Sequence, residues 1–149
     1  MELLLVVVII GIVAAIAIPN LLSSRRASNE AAAIASLRTI TGAEATYKSA
    51  NPNFGTLTEL NSEGLIDDII GCAAPPCTKT GYVYNVVPVA GNPNFHWDGT
   101  AVPQIASGFG ATGFRFFYTN ESVVIFANLG SVPTVDGTRN VSNGTPIGD

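Results

Sequence analysis

The sequence predicts an α+β fold, in which a long N-terminal helix packs on a small antiparallel sheet of three to four strands. Three observations lead there. Residues 1–50 contain no strong breaker except Pro19 and carry helical periodicity throughout their second half. Residues 82–126 contain short runs of β-branched and aromatic residues separated by Gly, Asn and Pro. With 149 residues, the chain is long enough for one domain plus an anchor or tail.

The helix has two halves. No charged side chain occurs from Leu3 to Ser24. At 1.5 Å per residue this stretch reaches about 33 Å, enough to cross a hydrocarbon core. Leu3 to Ile18 is apolar on every face, with Gly11 the one small interruption, so it belongs in lipid or in a large apolar core. The remaining chain is too short to wrap such a core around it. A cleaved signal peptide would need a basic leader before the run and a small-residue cleavage site after it. Instead Pro19-Asn20 follows, and a helical pattern resumes. The division is therefore 1–24, a hydrophobic helix, and 25–149, a globular head.

From Leu21 to Ala50 the pattern is amphipathic. Ala33, Leu37, Ile40, Ala43 and Tyr47 share one face, while Ser28, Glu30, Arg38 and Lys48 lie elsewhere. Asn51-Pro52-Asn53 ends the helix. Thr56 with Glu59 three residues on forms a capping-box pattern for a short helix that Gly64 would stop. Expected strands are Tyr82–Val87, a short one beginning at Phe95-His96-Trp97, Phe114–Thr119 and Ser122–Phe126, the last two joined by a tight Asn120-Glu121 turn. From Gly130 on the chain reads as coil.

Candidate chemistry is sparse. Net charge is −4, and Arg25-Arg26 is too small a basic patch for nucleic acid to be the main ligand. Cys72 and Cys77 flank Ala-Ala-Pro-Pro. That spacing suits a tight disulfide loop rather than zinc or thioredoxin chemistry. The single His leaves a Cys/His metal site short of ligands. A disulfide is expected because the rest of the chain looks exported, and closing so small a loop contributes about 2 kcal/mol.

Gly108-Phe109-Gly110-Ala111-Thr112-Gly113 matches G-x-G-x-x-G. A dinucleotide site needs a strand before that motif and a helix after it. Here a loop precedes and a strand follows, so the run is read as a glycine loop. His96 and Asp98 stand near each other without a nucleophile motif, and Asp67-Asp68 reads as a solvated turn rather than a calcium site. The N-x-S/T triplets at Asn120, Asn140 and Asn143 carry no argument. No pattern calls for a cofactor or an enzymatic activity. No Phe, Tyr or Trp precedes Tyr47, so no aromatic path for electrons runs along the front helix.

Glu2 stands at the mouth of the apolar run. At a membrane interface it would be solvated. Buried among packed helices it would need a positive partner, for which the N-terminal amine of a neighbouring copy is the natural candidate.

The run from Glu2 through Gly11 and Pro19 to Leu21 resembles the N-terminal helix of type IV pilins and type II secretion pseudopilins. Arg25-Arg26, the Ala-rich half-helix, Tyr47 and the Leu-Thr-Glu-Leu…Gly-Leu-Ile-Asp stretch before Gly-Tyr-Val-Tyr extend the likeness, and the C-terminal third matches it loosely. The resemblance implies a structural subunit, a major pilin that assembles as a helical filament of identical copies. It implies a precursor in the bacterial inner membrane, processed by a prepilin peptidase and passed by assembly machinery to the cell surface. Glu2 corresponds to the family's near-terminal Glu, and Gly11 and Pro19 bracket the segment that loosens on assembly.

The family places about four residues before that Glu, beginning with a methylated Phe, whereas here only Met1 precedes it. Either the mature protein starts about three residues upstream, or Met1 is the translation start and the peptidase site is absent. Arg25-Arg26, taken alone, would orient the helix the other way; the cysteine pair and the resemblance outweigh it. The alternatives are a pseudopilin in a short periplasmic filament and a membrane-tethered binding domain that forms no filament. Calcium-binding pseudopilins carry an acidic C-terminal loop, and the tail here offers only Asp136 and Asp149.

Overall fold

The structure is a computed structural model and describes residues 2–147. Helix α1 (Glu2–Ala50) is followed by a short α2 (Leu57–Ser62) and by strands β1 (Cys77–Lys79), β2 (Tyr82–Pro88), β3 (Trp97–Pro103), β4 (Arg115–Asn120), β5 (Ile125–Leu129) and β6 (Thr145–Pro146). The six strands form one antiparallel sheet in the order β1-β2-β3-β4-β5-β6, each paired with its sequence neighbour. The C-terminal half of α1 packs against β3 and β4.

The core lies between that half-helix and one face of the sheet. Ala33, Leu37, Ile40 and Ala43 are buried, as the helical period requires, whereas Tyr47 is half-buried at the margin. Tyr82, Tyr84 and Val86 alternate inward along β2. Across the register, Ala101 stands opposite Tyr84 and Gly99 opposite Val86, so small residues of β3 face large ones of β2. A Cβ at Gly99 would sit 2.7 Å from the Trp97 ring. Absence of a side chain there is what lets the buried indole lie along its own strand.

Around α2, the Thr56 hydroxyl accepts from the Glu59 N–H (3.4 Å), and the Glu59 carboxylate accepts from the Thr56 N–H (2.7 Å), completing the capping box. Leu57 and Leu60 thereby face the core. Gly64 follows the helix at φ +70°, the left-handed conformation glycine adopts without strain. Cys72 and Cys77 are disulfide-bonded.

The sheet has two more strands than the upper end of the expectation. β1 arises because Thr80 (φ +47°) and Gly81 (φ +74°) form a tight two-residue turn that folds residues 77–79 back along β2, with Lys79 opposite Tyr82 and Cys77 opposite Tyr84. β6 arises because the tail returns along β5, pairing Thr145 with Ala127 and Pro146 with Phe126. The tail is further tied by a bridge between Val135 and Val141. The strand expected over Ser122–Phe126 begins at Ile125 instead. Asn120 draws the Ser122 N–H onto its side chain (3.0 Å), and Val123 takes φ +66°, which widens the turn and delays the strand. Asp149 lies outside the described residues.

Candidate functional site

The first half of α1 projects from the head as a bare apolar rod. Every Leu, Val and Ile from Leu3 to Leu21 is exposed, Leu3 at 84 % and Ile16 at 65 %. No residue of its most apolar stretch is buried within this chain. About a dozen such side chains, at roughly 1.5–3 kcal/mol each, cost more in water than the whole 5–15 kcal/mol by which a domain is ordinarily stable. The rod is therefore a surface made to be covered, and it is long and apolar enough to cross a membrane.

Glu2, Gly11 and Pro19 all lie on this rod and are exposed. Along the helix axis Glu2 and Gly11 are about 14 Å apart, and Gly11 and Pro19 about 12 Å. They do not converge within one chain. A Cβ at Gly11 would meet nothing within 4 Å, so the glycine serves no packing inside the subunit. Pro19 sits within the helix, where its ring removes one backbone donor.

Where α1 meets the head, polar side chains clasp the sheet. Glu30 accepts from the Phe114 N–H (3.0 Å) and pairs with the Arg115 guanidinium (2.7 Å). Burial would raise its pKa, but these donors prevail and hold it below the usual carboxylate value. Periodicity placed Glu30 off the packed face, yet its side chain lies against β4. Asn29 donates to the Thr112 carbonyl (2.9 Å), and Arg26 to that of Ala111 (3.2 Å).

Higher on the helix, Glu44 is fully buried. One carboxylate oxygen accepts from the Gly55 N–H (3.0 Å), and the other has no partner. Burial pushes its pKa up to about 7; the Gly55 bond opposes this and the Glu59 charge adds to it.

At the far end of the head, Arg139 joins the tail to the sheet. Its guanidinium bonds Glu121 (2.8 and 3.0 Å), Asp98 (2.7 Å) and the Trp97 carbonyl (2.9 Å). Although burial opposes it, this pairing holds Glu121 down at about 2. His96 and Asp98 are not bonded to each other: His96 contacts Glu121 (2.9 Å), while Asp98 accepts from the Tyr118 hydroxyl (2.5 Å). Asp67 is paired with Lys79 (2.6 Å) and caps the N–H groups of Ile69 and Ile70. Among the described residues, no group of three or more His, Cys, Asp or Glu side chains is placed to hold a metal ion. Gly108 and Gly110 both take positive φ in a turn before β4, with no helix following.

Sequence reasoning overlooked Glu30, Glu44, Glu121 and Arg139 as structural charges. For Glu44 a signal existed, since Ala33, Leu37, Ile40 and Glu44 are spaced four, three and four apart and so lie on one face. The Arg139 contacts join residues 18 to 42 positions apart and leave no local trace.

Comparison with family models, with curated proteins and with solved structures gave no match.

Proposed function

We propose that the chain is a structural filament subunit of the type IV pilin kind, without enzymatic activity. It is held first in a bacterial inner membrane by the apolar half of α1, and then packed through that half against identical copies in a cell-surface filament. The observation that carries the reading is the bare apolar rod with Glu2 at its tip. A passive anchor gains nothing from a carboxylate there, because an ionised group entering hydrocarbon is costly. A helix that packs beside copies of itself can use one, paired with a neighbour's N-terminal amine, to set axial register. Gly11 and Pro19 fit a segment that must change surroundings, since each weakens the helix locally. The head would then face outward.

The test is Glu2→Ala in cells that assemble the protein. The variant should fractionate with the inner membrane as the parent does and yield no sheared surface filaments by electron microscopy. Normal filaments from Glu2→Ala would overturn the proposal.

A further inference from the structure

The lower end of the head, where α1 enters, carries an apolar loop that the assembly reading does not use. α1 runs without charge from Leu3 to Ser24, about 33 Å, so a bilayer around it ends near Arg25 and Arg26. Arg26 is bonded to the Ala111 carbonyl (3.2 Å), and its guanidinium lies 4.7 Å from the Phe114 ring centroid. Asn29, one turn higher, holds Thr112. The turn formed by residues 108–111 therefore lies at the level where hydrocarbon gives way to headgroups. It is closed by the Ala111 N–H on the Gly108 carbonyl (3.3 Å). Gly108 (φ +84°) and Gly110 (φ +91°) flank Phe109 on either side. Phe109 is 88 % exposed, more than any other large apolar residue among those described. Leu129, paired with Arg115 at the same end of the sheet, is 70 % exposed.

We propose that this turn docks on the bilayer surface while the subunit is held in the membrane, with Phe109 inserted into the interfacial layer as a second anchor beside α1. The inference rests on the reading that α1 spans a bilayer. A Phe side chain gains by burial at the boundary between headgroups and acyl chains, and the Arg26, Asn29 and Glu30 clasp transmits the contact into a fixed tilt of the head on its helix.

The described cysteines are both in the disulfide, so a spin label can be placed on a single added cysteine. Full-length protein would be reconstituted in phosphatidylcholine–phosphatidylglycerol vesicles with labels at Ser107→Cys, Ile9→Cys or Asn94→Cys. Collision with a water-soluble nickel chelate should be at least about twofold lower at position 107 than at 94, as expected of a site within the interface. Adding Phe109→Ser should remove that protection without unfolding the head, because Phe109 is exposed. Nickel access at 107 equal to that at 94, with Ile9 in lipid, would overturn the proposal alone. Water access at Ile9 would overturn the spanning reading and the proposal with it. Protection at 107 that appears only in filaments would assign the turn to a neighbouring subunit and also overturn it.

Discussion

Glu44 shows how one residue can oppose the fold it belongs to. It lies buried with an unpartnered oxygen, and its pKa is about 7 against an ordinary 4.5. An acid raised in the folded state binds its proton more tightly there than in the unfolded chain. Stability therefore falls as pH rises from about 4.5 to 7, by something on the order of 3 kcal/mol. Glu30, Asp67 and Glu121 have lowered values and act in the opposite sense, losing stability as pH falls below about 4.5. Denaturant unfolding of the full chain in detergent micelles should show a higher midpoint at pH 5 than at pH 8, and Glu44→Gln should flatten that difference. An unchanged pH dependence in the variant would mean that Glu44 is not the titrating group. At this scale the sequence was legible only in part. The phase of the helix pointed Glu44 inward, but its charge argued outward, and the Gly55 N–H that decides the matter comes from the loop beyond the helix.

Among the elements, legibility followed the strength of local pattern. α1, α2 and the central strands β2 and β4 follow from period, cap and composition. β1 and β6 do not, because a strand of two or three residues is made by its partner rather than by its own sequence. The disulfide belongs to this scale, since it closes a loop of only five residues' separation and ties the start of β1, at Cys77, back to Cys72. Reducing it in the full chain should lower the unfolding free energy by about 2 kcal/mol in guanidinium titrations, the loop entropy restored to the unfolded state. No change on reduction would mean that the unfolded chain is already restricted between Cys72 and Cys77 without the bond. Both edge strands are short, and β6 includes Pro146. Such edges are poor templates for strand addition, which agrees with the proposal that copies associate through the rod of α1.

For the molecule as a whole, the apolar half of α1 and the head are separable in energetic terms. The core begins at Ala33 and, among the described residues, contains nothing from before Arg25. A chain starting at Arg25 keeps the Arg26, Asn29 and Glu30 clasp. It should be a water-soluble monomer by sedimentation and retain the near-ultraviolet dichroism of buried Trp97. A molten or aggregated product would show that the head depends on its rod.

The meander order has one more consequence, for the sequence of events as the chain emerges. Each hairpin needs only the strand just before it, so β1 to β5 can zip in the order in which they are made. Closure of the helix on the sheet is different: the Arg26, Asn29 and Glu30 contacts reach 83 to 85 residues ahead. Until Arg115 has been made and is free to fold, Glu30 has no cation and Leu37 and Ile40 have no lid. On the proposed membrane-held reading, a tethered front end shortens that wait, because a rod fixed in lipid keeps its polar half in place and limits the volume that the arriving strands must search.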